Sequence, residues 1–135
     1  MKIENLVVRE TNMNLKEMGR DELKIIYNAI NNPTYRVGDM INQVIDMSMV
    51  HIAPIDVVDS ETGETVTLPK TVIIDTHGES YSCVSKGIYN ALNNIIDIFG
   101  EPSPENVISV KVVQKTGGKF NKFLTLEIAD RKSVV

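Results

Sequence analysis

The sequence predicts a mainly β domain that carries one amphipathic helix. Several segments alternate apolar and polar residues with period two, which is typical of half-buried strands. Tight-turn signals separate these segments, and one stretch places its apolar residues at helical spacing. The chain has 135 residues, of which 42% are apolar. This is the length of one domain and enough apolar content for one core.

The first half of the chain is predicted to supply three main strands. Residues 23–30 are rich in β-formers and end at an Asn-Asn-Pro turn, with a helix opened by Asp21-Glu22 as the alternative. Residues 39–58 place Ile45, Met47 and Met49 on one face by alternation. The turn at residues 60–64 leads to a returning strand at 65–75, and a short strand follows at 80–84. Pro54 and Pro69 indicate edge positions or bulges.

The second half is predicted to hold the helix and a final hairpin. Ser85 is a good N-cap, and Gly100 followed by Pro102 ends the helix. Its apolar stripe consists of Ile88, Ala91, Leu92, Ile95 and Phe99. Strands at residues 107–115 and 120–128 are joined by a Gly-bearing turn, with lysines on the face opposite the core.

This order, five main strands with one helix between the third and the fourth, is that of an OB fold, a small and partly open barrel. We therefore divide the chain into an N-terminal extension at 1–22, an OB-fold-like domain at 23–130 and a short tail at 131–135. Other small β-rich folds share parts of the pattern.

The charges are distributed unevenly along the chain. The net charge is -4, but residues 37–85 hold eight acids against Lys70, a net of 1 - 8 = -7. Residues 107–126 hold four lysines and no acid, a net of +4. Such a basic stretch is either a solvated face or a surface that contacts phosphates.

Catalytic and membrane functions find little support. The chain has two histidines and one cysteine, no phosphate-binding loop, and no group that suggests a metal or cofactor. A Cys-His nucleophile pair is the weak alternative, and Cys83 fits better as a small buried residue. No apolar run is long enough to span a membrane, and the N-terminus lacks the apolar run of a signal peptide, so we expect a cytoplasmic protein.

Binding to single-stranded nucleic acid fits the residues better, because it needs cations for the backbone and exposed rings for the bases. The candidate phosphate contacts are Lys111, Lys115, Lys119 and Lys122. The candidate stacking rings are Tyr81, Phe123, Tyr27 and Tyr35. For each ring, filling the core is the alternative.

Two segments resemble the single-stranded DNA-binding proteins of small Bacillus phages with protein-primed replication. They are the Gly-Glu-Ser-Tyr-Ser-Cys-Val-Ser-Lys run at 78–86 and the Lys-Val-Val-Gln-Lys run at 111–115. The resemblance extends in patches over residues 24–128 and implies an OB-like fold, cooperative coating of displaced strands and no enzymatic activity. It also places Tyr81 on a family tyrosine that stacks against bases. The family has further tyrosines in its central hairpin, whereas residues 40–70 here have none.

The sequence therefore predicts a sequence-tolerant protein that binds single-stranded DNA, protects it during phage replication in the host cytoplasm and has replication proteins as further candidate partners. The alternative is an OB-type module that binds another protein through its acidic central hairpin.

Overall fold

A computed structural model of the chain describes residues 15–117 and 121–129. It contains two helices, α1 (Arg20–Asn31) and α2 (Lys86–Phe99). It also contains six strands, which are β1 (Tyr35–Arg36), β2 (Val44–Val58), β3 (Thr65–Asp75), β4 (Ser80–Cys83), β5 (Ile108–Gly117) and β6 (Asn121–Ile128). Within the described residues, no helix is long and apolar enough to cross a membrane.

The predicted strand at residues 23–30 is wrong, because this segment lies within α1. Helical spacing places Ile26 and Ala29 on one buried face, where they pack on Met49, Val72 and Ile74. Asp21 and Glu22 lie in the first turn, where negative charge stabilises a helix. The boundary expected at residue 22 therefore falls inside this helix.

The six strands form one curled sheet in the order β1-β4-β3-β2-β5-β6. Because β2 lies between β3 and β5, the chain crosses from one side of the sheet to the other between β4 and β5, through α2. No pairing joins the two edge strands, β1 and β6, among the described residues, so the sheet is an open half-barrel. This mainly β architecture is OB-like, but it has the helix that the sequence offered only as the alternative at residues 23–30, and a two-residue strand, β1, that was not predicted.

A bulge in β2 divides the apolar side chains between two faces of the sheet. The register of β2 against β3 shifts between Met47 and Met49. As a result, Met47 enters the main core with Ile45, whereas Met49 packs under α1. The prediction that all three share a face fails at this bulge, because an extra residue reverses the alternation.

Helix α2 packs against β6 and β3, and it lies between the two residues that were predicted to flank it, Ser85 and Gly100. The Ser85 hydroxyl accepts a hydrogen bond from the Ile88 amide at 3.3 Å, and Gly100 ends the helix with a positive φ of 84°. The first turn lies directly against β6: a Cβ on Gly87 would be 2.0 Å from the carbonyl oxygen of Leu124. Only glycine allows this approach.

The distal parts of β2 and β3 extend beyond the rest of the sheet as a two-stranded arm, residues 53–70. Pairing of β3 with β4 stops at Thr71, and pairing of β2 with β5 stops at Met47. Pro54 and Pro69 face each other within this arm. Their missing N–H groups are tolerated because the arm has no third strand beside it among the described residues.

Candidate nucleic-acid interface

A stacked pair of tyrosines lies at the β1–β4 edge of the sheet. Tyr35 pairs with Tyr81 in a parallel register, which places both side chains on the same face. Their ring centroids are 5.2 Å apart with an interplanar angle of 20°. Tyr81 is 6% exposed and belongs to the core, whereas Tyr35 is 41% exposed. Tyr35 is therefore the ring of this pair that meets solvent.

A buried carboxylate fixes the position of Tyr81. The Tyr81 hydroxyl donates to Oδ2 of Asp75 at 2.7 Å. The other oxygen, Oδ1, accepts from the backbone amides of His77 and Glu79 at 2.8 and 2.9 Å. Asp75 thus joins the β3–β4 turn to the ring beneath Tyr35, and a buried network with all its members satisfied is rigid.

Both tyrosines have pKa values above the ordinary value. Burial, followed by the hydrogen bond to Asp75, raises the pKa of Tyr81. A hydrogen bond to the Glu79 carboxylate is the main cause of the raised pKa of Tyr35. Both rings therefore stay neutral at physiological pH and present no negative charge to a phosphate backbone.

The sequence predicted that Tyr81 is an exposed stacking ring. The predicted exposure is wrong, because the ring is buried. The ring lies in the core because its neighbour Ile73 and the α2 side chains Ile88 and Leu92 form one cluster around it. In this arrangement a base would stack on Tyr35, and Tyr81 would act only by supporting the Tyr35 ring. Whether either ring takes part in binding stays a prediction.

The β5–β6 hairpin distributes its predicted site residues over two faces. Lys115 lies opposite Phe123, and Lys111 lies opposite Glu127, all on the outer face. Lys122 shares the opposite face with Leu124 and the buried Leu126. The four lysines therefore do not form one row. Lys119 lies in residues 118–120, outside the described part of the chain.

The outer face of this hairpin combines an exposed ring with a partly neutralised cation. Phe123 is 45% exposed beside Lys115. The Lys115 ammonium lies 3.7 Å from a carboxylate oxygen of Glu127, and both side chains are 51% exposed. A pair this exposed is weak, so a phosphate is able to compete with Glu127 for Lys115.

Tyr27 lies apart from both surfaces, on the outward face of α1. It is 64% exposed and lines a shallow recess with Arg20, Leu23, Lys24 and Asn28. The sequence predicted a strand at Tyr27, so it did not indicate that Arg20 and Lys24 lie beside this ring. Helical spacing of the three residues is the signal that identifies this patch.

Sequence reasoning also missed two cations near the β1–β4 edge. Arg36 follows Tyr35 directly and is exposed, and Lys70 lies at the base of the arm. Arg36 gave a usable signal, since it follows an aromatic residue just after a turn. Lys70 gave no such signal, because it is the single basic residue in an acidic segment.

Nothing in the described residues resembles a metal centre, because no group of three or more His, Cys, Asp or Glu side chains lies together. Cys83 packs against the core, and burial raises the pKa of its thiol to about 12. A thiol with such a pKa is a poor nucleophile at neutral pH.

A curled OB-like sheet with exposed rings beside cations is typical of single-strand nucleic-acid-binding domains. Comparison with protein families agrees with this class. A family model described as phage single-stranded DNA-binding protein, of the phi29 type, matches residues 15–129.

The chain therefore belongs to the phage single-stranded DNA-binding protein family. This membership supports a DNA-binding, non-catalytic role with single-stranded DNA as the partner. Comparisons with curated proteins and with solved structures gave no match.

Proposed function

We propose that this protein coats single-stranded DNA without sequence preference and protects displaced strands during phage DNA replication. The observation that carries the proposal is the half-exposed Tyr35 ring, held against a buried Tyr81 that is itself fixed by Asp75. A ring held in place stacks on a base at little entropic cost. Stacking is tolerant of sequence because every base has a π face.

The DNA strand would contact two regions of the sheet. Tyr35 would stack one base at the β1–β4 edge, with Tyr81 as its support. Phe123 would stack another on the outer face of the β5–β6 hairpin, with Lys111 and Lys115 on phosphates. Lys122, together with Lys119, would contact the backbone as it crosses the β6 edge, and Tyr27 would extend the surface in longer complexes. Single OB folds contact roughly 4–16 nucleotides, which is enough for such a path.

The proposal is tested by the binding of a labelled oligo(dT), oligo(dC) and a matched duplex, followed by fluorescence anisotropy. We expect similar affinities for the two single strands, a much weaker affinity for the duplex, and a decrease of affinity with salt. Equal affinity for single strand and duplex would overturn the proposal.

The role of Phe123 is tested against a matched position on the same strand. Phe123 and Ile128 are apolar and similarly exposed, at 45% and 48%. Phe123→Ala should weaken oligo(dT) binding by about 1 kcal/mol, at the lower end for a stacked base. Ile128→Ala should leave binding unchanged, because an aliphatic side chain offers no stacking. Equal effects of the two variants would remove Phe123 from the interface.

A second candidate function belongs to the arm at residues 53–70. Its turn holds three acids, Asp59, Glu61 and Glu64, and one of its faces carries half-buried Ile55, Val57, Val66 and Leu68. An isolated two-stranded hairpin is only marginally stable in water, which favours a protein partner on this face. A variant with Asp59, Glu61 and Glu64 changed to their amides should bind oligo(dT) at least as tightly as the wild type, because the arm would serve another partner.

A further inference from the structure

A cavity of ≈ 500 Å³ lies where the two ends of the half-barrel approach each other. One wall is formed by β3 and β4, with Lys70, Ser82 and Cys83. The opposite side is formed by Leu124 of β6 and by the N-cap of α2, Ser85. Arg36, Gly38 and Asp39, at β1 and the turn after it, also line the cavity. We call this space the seam cavity.

The charges of the seam cavity favour an anion. Arg36 and Lys70 line it together with one acid, Asp39, which gives a net charge of 2 - 1 = +1. Neither cation forms an ion pair with another residue in the described part of the chain. This differs from Lys115, whose ammonium is already 3.7 Å from Glu127. The hydroxyl groups of Ser82 and Ser85 add donors suited to phosphate oxygens.

The seam cavity lies between the two regions of the proposed interface. Arg36 follows Tyr35 in β1, so the cavity and the ring lie at the same edge of the sheet, with the two side chains on opposite faces of the strand. At its other side, Leu124 shares a strand face with Lys122, two residues and about 7 Å away. The cavity therefore lies between β1 at one edge of the sheet and β6 at the other.

We propose that the seam cavity is a subsite for the sugar–phosphate backbone of single-stranded DNA, with Arg36 and Lys70 as contacts to successive phosphates. This inference rests on the proposed single-strand binding and adds two contact residues to it. Asp39 opposes the phosphates at the same site and limits its affinity, so a high affinity requires both cations.

The first test measures oligo(dT) affinity against salt concentration for Arg36→Gln, Lys70→Gln and the double variant. Each single variant should bind about three- to tenfold more weakly, and the slope of log K against log salt should decrease by about 0.7 per lost contact. Asp39→Asn should bind more tightly than the wild type. Lys16→Gln is the control, because Lys16 is an exposed cation outside the cavity, next to the acidic Glu17.

A second test locates the strand by photo-cross-linking with an oligo(dT) that contains 4-thiothymidine. Adducts within residues 35–39, 70 and 82–85 are expected. Adducts confined to the β5–β6 hairpin would overturn the subsite, as would an Arg36→Gln, Lys70→Gln double variant with an unchanged salt slope. Both results leave single-strand binding intact, whereas a wild-type protein that does not bind oligo(dT) would refute the proposed function itself.

Discussion

The β1–β4 edge and the β5–β6 hairpin both present an exposed ring beside a cation, but they are built in opposite ways. At the edge, Tyr35 rests on a buried ring whose hydroxyl is held by Asp75. On the hairpin, Phe123 and Lys115 are exposed, and the nearest partner of Lys115 is Glu127, itself half exposed. The edge is a prearranged surface, whereas the hairpin is a solvated one.

This difference predicts how the two regions share the binding energy. A ring fixed before binding loses little conformational entropy when a base stacks on it, so more of the stacking energy appears as affinity. A long exposed lysine gains only a screened interaction with phosphate and loses rotamer freedom. Tyr35 should therefore dominate affinity, and the hairpin lysines should dominate the salt dependence.

The strongest test of the connection between the two regions is Gly87→Ala. The new Cβ would be 2.0 Å from the Leu124 carbonyl oxygen, so α2 and β6 must separate. Since the Cβ is fixed to the helix backbone and the oxygen belongs to the β6 backbone, neither can turn away, and we expect a loss of about 3 kcal/mol in the free energy of unfolding, measured by urea denaturation. Asn90→Ala, at an exposed position of the same helix, is the control and should not destabilise. A wild-type midpoint for Gly87→Ala would contradict the tight α2–β6 contact.

Removal of the Tyr81 hydroxyl should have the next largest effect. Tyr81→Phe takes one donor from the buried Asp75 carboxylate, which should cost about 1.5–3 kcal/mol of stability. It should also weaken oligo(dT) binding, since Tyr35 loses a fixed support. Tyr89→Phe, a second buried tyrosine on α2, tests whether loss of any buried hydroxyl does the same.

The same variant should change the alkaline limit of stability. The folded pKa of Tyr81 lies above the ordinary value of 10.0, so the unfolded chain releases this proton first. The stabilisation is complete below about pH 10 and is lost as pH rises toward the folded pKa. Urea midpoints between about pH 8 and pH 11 should fall more steeply for the wild type than for Tyr81→Phe. Parallel curves would show that Tyr81 does not control this loss.

Tyr35→Ala should weaken oligo(dT) binding by about 1–3 kcal/mol with little change in the salt slope. Tyr35→Phe keeps the ring and removes only the hydroxyl, whose pKa the Glu79 carboxylate raises, so it should bind nearly as the wild type does. If both variants bind alike, the ring contributes no stacking, and the edge is not the prearranged surface described above.

The smallest effect is expected at the hairpin, from Glu127→Gln. This change frees the Lys115 ammonium from its 3.7 Å contact and removes an acid opposite Lys111. Oligo(dT) affinity should rise by a few tenths of a kcal/mol, and the salt slope should become steeper. Weaker binding by Glu127→Gln would show that Glu127 positions Lys115 instead of competing for it.

Local patterns were sufficient to predict the β-rich fold, the limits of α2 and the faces of β5. Ser85, Gly100 and the alternation of Ile108, Val110 and Val112 each identify an element without long-range information. The prediction of a strand at residues 23–30 was wrong because their apolar positions fit both the strand period and the helix period. The packing of Ile26 and Ala29 under the sheet decides in favour of a helix.

The candidate site was less predictable, because it depends on contacts between distant segments. Spacing showed that Lys111 and Lys115 share a face, but not that Glu127 lies beside them. Exposure of Tyr81 could not be read from its turn, because α2 and Tyr35 cover it from other parts of the chain. Arg36 and Lys70 are 34 residues apart in sequence, and the pairing of β1 with β4 and of β4 with β3 brings them to one cavity.

The central claim, that Tyr35 is the main stacking ring, is tested most directly by ¹⁹F NMR of protein labelled with 3-fluorotyrosine. The chain has four tyrosines, so each resonance is assigned by one substitution to phenylalanine. On saturation with oligo(dT), the Tyr35 signal should shift most, Tyr81 less, and Tyr89, which is buried on α2, least. A Tyr35 signal that stays in place while the DNA is bound would contradict the account.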